Sequence, residues 1–409
     1  MYHRSLFIIA LLTSAVTFPL IFLGGLVTSH GVGMSVPDWP NSYGYNMVLF
    51  PPSQWIGGIW YEHVHRLTAT VVGFLAVMLT LTAWGPSQNP GWRKIWGWTA
   101  LVSAGAGVML AVGVLSVTRS LHGPLNHIWV LLLSLASVAV VAWLCRKRHG
   151  SRAVRWMCTA VLLAVIIQGT LGGLRVEKIS LTLAIVHGAF GQLVFCMTGL
   201  ACLMSSHWWA NQTPPAIWLK QGERLIKAGI VVVLLVFGQL VLGALMRHHG
   251  AGLAIPDLPL AYGEWLPPMD REALDSANRT RAWDLHMDPV SLGQIWLHFG
   301  HRMGAIIVTL AISLLVAYVI RRHRKDAVIR SWTTILLVLL LTQLTLGVYT
   351  VLKEKPADIA SLHVACGALV LLTAVLLTTI AIRLYWPKEL TVRRQVMTPD
   401  VLPGQVVTV

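Results

Sequence analysis

The chain alternates long apolar stretches with short polar ones. Ten apolar runs, near 5–27, 64–84, 95–117, 125–145, 153–174, 182–205, 225–246, 294–320, 331–352 and 360–385, are long enough, or nearly so, to cross a hydrocarbon core about 30 Å thick. Lipid offers backbone N–H and C=O groups no partner, so such runs predict helices, and the period-2 alternation of a membrane β-strand is missing from them. The expected fold is an all-α polytopic membrane protein with about ten transmembrane helices.

Composition narrows the picture. Hydrophobic residues make up 56% of the chain and charged residues 11%, against roughly 25% charged in a soluble domain. The chain lacks the polar surface to cover itself in water. Its net charge of +15 would suit nucleic acid, but the Lys and Arg form short clusters between apolar runs, a pattern of membrane topology that points to a lipid bilayer and not to nucleic acid. With the N-terminus in the cytoplasm, 20 Lys and Arg fall inside and 11 outside, as the positive-inside rule requires. Both termini are then cytoplasmic, and the long loops 28–60 and 247–293 face outwards. No small-residue cleavage site precedes the first loop and no Arg/Ser-rich transit peptide is present, which favours a bacterial inner (cytoplasmic) membrane. The five cysteines, Cys145, Cys158, Cys196, Cys202 and Cys366, lie in or at the ends of predicted helices, so no outer-loop disulfide is expected. There is no C-x-x-C-H for covalent haem attachment.

Two distant segments resemble each other. LGGLVTSHGVGMSVPDWPNSYG (23–44) and LGALMRHHGAGLAIPDLPLAYG (242–263) agree at 11 of 22 positions. GGIWYEHVHR (57–66) and GQIWLHFGHR (293–302) share Gly57, Ile59, Trp60, His65 and Arg66 with their counterparts. A third element recurs: Gln168 to Gly172-Gly173 is followed by His187, and Gln343 to Gly347 by His363. Agreement in mixed polar and apolar residues indicates duplication. The repeat is read as four helices with a long outer loop after the first, the two copies being parallel about an axis along the membrane normal. The N-terminal repeat spans 1–210 and carries an inserted hairpin at about 90–150. The C-terminal repeat spans 211–390, and 391–409 form a cytoplasmic tail.

The repeat places four histidines, His65, His187, His301 and His363, in the first turns of helices that start at the outer face. One such His is ordinarily an interfacial polar residue; four at equivalent depth suggest ligation, and two facing helices with one imidazole each make a bis-His haem site. A zinc or copper site would need further ligands that these pairs lack. The inserted hairpin offers His127 as an alternative partner for His65. Arg66 and Arg302 follow repeated histidines and could pair with a haem propionate or with lipid phosphate. Glu62 breaks the symmetry: it lies one helical turn before His65, where the second copy has His298. A carboxylate there either sits solvated in a first turn or handles a proton, which would make the first repeat the catalytic one.

Taken together, Glu62-x-x-His65-Arg66, the Gln-x-x-x-Gly-Gly hairpin leading to His187, the pair His301 and His363, and the Gly/Pro-rich outer loop resemble the haem A synthase family of cytochrome oxidase assembly. That family has eight helices in two four-helix halves. The resemblance implies oxidation of the C8 methyl of haem O to a formyl group, with haem O between His65 and His187, Glu62 as the catalytic carboxylate, and a haem b cofactor between His301 and His363. It also implies neighbours in the same pathway, the farnesyltransferase haem O synthase and the assembly of haem-copper oxidase. This chain departs in its extra hairpin and in lacking the outer-loop cysteine pair of many members. Two other readings start from the same residues: a di-haem membrane cytochrome that leaves its haem unmodified, and a parallel-repeat transporter.

Overall fold

Apolar runs that must satisfy their own backbone become helices. The structure, a computed structural model, describes residues 3–84, 151–213, 215 and 220–386. Its helices are α1 (Arg4–Ser29), α2 (Gly58–Trp84), α3 (Arg152–Lys178), α4 (Leu181–Ser205), the short α5 (His207–Asn211), α6 (Lys220–His248), α7 (Arg271–Trp283), α8 (Leu292–Arg322), α9 (Ala327–Leu352) and α10 (Ala357–Tyr385). All but α5 and α7 are long and apolar enough to cross a membrane, so eight of the ten expected spans are seen and the chain is a multi-pass membrane protein. The runs near 95–117 and 125–145, His127, Cys145 and the tail lie outside the described residues.

Helix ends follow local chemistry. Ser291 and Gln294 form a capping box that starts α8, and Ser180 accepts from Leu183 N to start α4. Helix α2 begins at Gly58, six residues before the apolar run that predicts it, so Glu62 and His65 both lie on the helix. In the second loop Asp270 caps α7, accepting from Ala273 N at 2.9 Å, an amphipathic helix with no counterpart in the first loop.

Helices α1 to α4 pack in a closed ring, α1 on α2, α2 on α3, α3 on α4 and α4 on α1. Helices α6, α8, α9 and α10 close a second ring in the same way. The rings meet where α1 and α4 pack on α10 and α4 on α6. Helix α10 is therefore the central one: 72% of its apolar window is buried inside the protein, against 11% for α9. In lipid, helices associate through close packing and polar contacts more than through hydrophobic burial. Accordingly, a Cβ at Gly25 of α1 would stand 2.9 Å from Ser361 Cβ of α10. Ser29 and Ser361 approach to 3.3 Å through their hydroxyls, and Arg247 of α6 donates to Ser29 Oγ at 2.6 Å and to the Gly25 carbonyl.

The two long loops take the same shape. Each has a cis X-Pro peptide, Trp39–Pro40 and Leu258–Pro259, a glycine at φ +67° (Gly31 and Gly250), and a tyrosine–glycine pair at positive φ (Tyr43–Gly44 and Tyr262–Gly263). Asp38 accepts from Tyr43 N and Gly44 N at 2.8 and 2.7 Å; Asp257 accepts from Tyr262 N and Gly263 N at 2.9 Å each.

Candidate functional site

Each of the four histidines lies against a glycine of the preceding long helix. A Cβ would stand 3.1 Å from His65 Cε1 if added at Gly24, 2.9 Å from His187 Cε1 at Gly172, 3.0 Å from His301 Cε1 at Gly243, and 3.0 Å from His363 Cε1 at Gly347. The unit that recurs is thus a helical hairpin, a glycine on its first arm and a histidine on its second, present four times. Four residues before the glycine stand Gln168, Gln239 and Gln343 in three hairpins and Leu20 in the other. Gln168 Nε2 donates to the His187 carbonyl at 2.9 Å. Gln239 Nε2 donates to the His301 carbonyl at 2.8 Å and lies 3.1 Å from its Nδ1. Gln343 Nε2 lies 3.3 Å from His363 Nε2.

The rings bring these histidines together in pairs. His187 is within electrostatic range of His65, and His301 of His363. Nδ1 of His65, His187 and His363 is shielded from solvent and has no well-formed hydrogen bond among the described residues. The carbonyls of Leu20, Gln168 and Gln343 approach the three rings. Buried imidazole nitrogens without partners are expensive unless something completes them. Among the described residues no three His, Cys, Asp or Glu converge as a metal cluster would require. Two imidazoles within electrostatic range of each other inside a ring of apolar helices would suit a planar porphyrin held by one histidine from each side.

Arg66 and Arg302 face the loops. Arg66 donates from Nη1 to the carbonyls of Asp38 (2.6 Å) and Asn41 (3.1 Å), and from Nη2 to that of Val36 (2.6 Å). Arg302 makes the equivalent bonds to Leu260 (2.9 Å), Ile255 (2.9 Å) and Asp257 (2.8 Å). Both guanidinium groups therefore hold the loop against the helix that carries the histidine.

Glu62 belongs to the same clamp. Its Oε1 accepts from Arg66 Nη2 at 2.8 Å and its Oε2 from Val36 N at 3.0 Å. In the second half His298 stands there, accepting from Ile255 N at 3.2 Å on Nδ1 and approached by Arg302 Nε at 3.4 Å on Nε2. The two residues anchor equivalent loop amides, so the asymmetry between the halves lies in charge and not in position. Glu62 is 4% exposed and His298 3%.

Two further cations were not singled out by the sequence. Arg175, one turn past Gly172, is in electrostatic range of His65 and His187 and of Glu62, and donates to the Gly33 carbonyl at 3.4 Å. Arg247, one turn past Gly243, is in range of His363. Gln239 was also missed, although Gln239-x-x-x-Gly243 repeats the spacing of Gln168–Gly172 and Gln343–Gly347.

Comparison with known proteins identifies the family. The model of the cytochrome oxidase assembly protein family matches residues 125–376. A protein of Halalkalibacterium halodurans named haem A synthase is 24% identical over 92% of this chain and 95% of its own length. A Shewanella oneidensis protein of the same name is 24% identical over 89% of this chain and 93% of its own, and one from Shouchella clausii 22% over 86% and 88%. With a family match over more than half of its length and relatives named haem A synthase, the chain belongs to the cytochrome oxidase assembly protein family, the family of the haem A synthases.

Proposed function

We propose that this chain oxidises the C8 methyl of haem O to the formyl group of haem A, with haem O held between His65 and His187 and a resident haem b between His301 and His363. The observation that carries this reading is the fourfold glycine–histidine hairpin, which supplies two pairs of half-buried imidazoles, each pair within electrostatic range. A haem b in the second half supplies one-electron redox chemistry beside the substrate site. Going from methyl to aldehyde with uptake of one water releases four electrons, to be taken by an external oxidant such as O₂ or a membrane quinone, and four protons in two two-electron rounds, so the first half needs a proton acceptor. Glu62 is the carboxylate nearest in sequence to the substrate's histidine, and Arg66 and the Val36 amide hold it in place. Arg66 and Arg302, bound to their loops by several short hydrogen bonds, would have to release carbonyls to reach a propionate. Arg175, whose bond to the Gly33 carbonyl is long at 3.4 Å, sits in range of both first-half histidines and is the better propionate partner.

In this reading the enzyme lies in the bacterial cytoplasmic membrane with both termini inside and the histidines towards the outer face. It receives haem O from the farnesyltransferase haem O synthase and serves haem-copper oxidase assembly. The test is the pigment of the purified full chain expressed with a haem O supply. Haem b together with haem A is the expected extract. Haem b alone would make the chain an electron-carrying cytochrome, and a colourless protein would remove both readings.

A further inference from the structure

Three of the four histidines have a glutamine of the neighbouring helix against them, bonded to the backbone carbonyl at His187 and His301 and set against the ring at His363, and the glutamine needs room. Gln239 Oε1 occupies the place where a Cβ on Gly304 would lie, Gln168 Nε2 stands 3.0 Å from the corresponding point on Gly191, and Gln343 Nε2 3.3 Å from that on Gly367. Each of these glycines follows its histidine by three or four residues: His301 to Gly304, His187 to Gly191, His363 to Gly367. Glutamine and glycine form a matched set, one residue on each arm of the hairpin.

The first hairpin lacks both members. Leu20 stands where the others carry Gln, and Thr68, three residues after His65, where His301 is followed by Gly304. Thr68 offers no substitute anchor, since its Oγ1 donates at 2.8 Å to the Val64 carbonyl of its own helix. The Leu20 carbonyl of α1 reaches the His65 ring, as the Gln168 and Gln343 carbonyls reach His187 and His363. Among the described residues, however, no side chain of α1 bonds the His65 turn as Gln239 and Gln168 bond theirs. In apolar surroundings such a bond is not exchanged for one to water, so its loss loosens the turn that carries the ring.

We propose that His65 is the exchangeable axial ligand of the first-half haem, while His187, His301 and His363 are fixed by their Gln–Gly clamps. The proposal rests on the function above, and it accounts for a difference between the two sites. A resident cofactor stays, and both of its histidines are clamped. A substrate must enter and its product must leave, and that site has one clamped histidine and one unclamped. A six-coordinate iron takes no other ligand unless an axial position opens, and the unclamped side is where it opens most readily.

The test swaps the clamp between halves in the full-length protein and reads carbon monoxide binding to the dithionite-reduced form by absorbance, independent of turnover. In the parent protein, carbon monoxide is expected to bind the first-half haem and leave the second-half haem six-coordinate. Leu20→Gln with Thr68→Gly builds the clamp in the first half and should lower that binding by roughly fivefold, the scale of one net hydrogen bond. Gln239→Leu with Gly304→Thr removes it from the second half and should create a new carbon-monoxide-reactive population. A parent protein whose first-half haem binds no carbon monoxide, or swaps that change binding in neither half, would overturn the proposal. Should His65→Ala and His187→Ala both leave haem content unaltered, the first half holds no haem, and the functional reading falls before the ligand question arises.

Discussion

His301 rests on Gly243 so closely that a single methyl group at residue 243 would stand 3.0 Å from its Cε1. His363 rests on Gly347 at the same distance. A carbon this near forces the ring to give by tenths of an ångström, and the ring is the proposed ligand. Gly243→Ala and Gly347→Ala should therefore leave the fold intact but lower haem b content or shift its low-spin spectrum. Gly238 lies on the same helix with nothing within 4 Å of an added Cβ. Gly238→Ala should keep the spectrum and stabilise the helix by about 0.5–1 kcal/mol. Pigment content per protein and the Soret maximum decide it, and indistinguishable spectra in all three variants would show that the glycines do not set the ring positions.

A second prediction concerns the partner of His65. His187 stands on Gly172 in the same hairpin geometry as the other three histidines and lies in electrostatic range of His65. His127→Ala is accordingly expected to retain most haem A formation and His187→Ala to abolish it. The opposite order of activities would assign the substrate to the segment that carries His127.

Much of this arrangement is legible in the amino-acid sequence alone, and the parts that are not have physical reasons. Apolar length fixes a membrane helix almost by itself, which is why the described spans fall where the runs lie. The loop repeat is legible because positions at positive φ tolerate few residues, so Gly31 and Gly44 reappear as Gly250 and Gly263. The work of Arg66 is not legible, because its partners Val36, Asp38 and Asn41 are carbonyls, which leave no side-chain signature. Glu62 and His298 look like an exchange of chemistry in sequence, yet they accept hydrogen bonds from equivalent loop amides, those of Val36 and Ile255. The Gln–Gly clamp is hidden in another way: its members stand on different helices, and a lone Gln in an apolar run reads as an exception until Gln168, Gln239 and Gln343 are set side by side. Helix α7 has no repeat partner, although Asp270 and Glu272 carry ordinary start signals.

The last prediction separates anchoring from chemistry at Glu62. Its carboxylate anchors Val36 N and pairs with Arg66, so a plain deletion would confuse the two roles: leaving one partner of a buried pair uncompensated costs about 3–5 kcal/mol. The second half shows how to keep them apart, because His298 anchors the equivalent amide with an imidazole. Glu62→His installs that residue in the first half, and Glu62→Gln keeps an acceptor for Val36 N without the charge. Both should fold and bind haem, while haem A formation falls by roughly 10²–10⁴-fold, the range lost with a general base. His298→Gln, which alters only an anchor, should leave turnover within a few-fold of the parent. Haem content and thermal midpoint, measured with turnover, report the anchoring role; haem A formed per haem reports the chemistry. Near-parental turnover in Glu62→His would show that an anchor is all this position provides, and the proton acceptor would then have to be sought elsewhere in the first half.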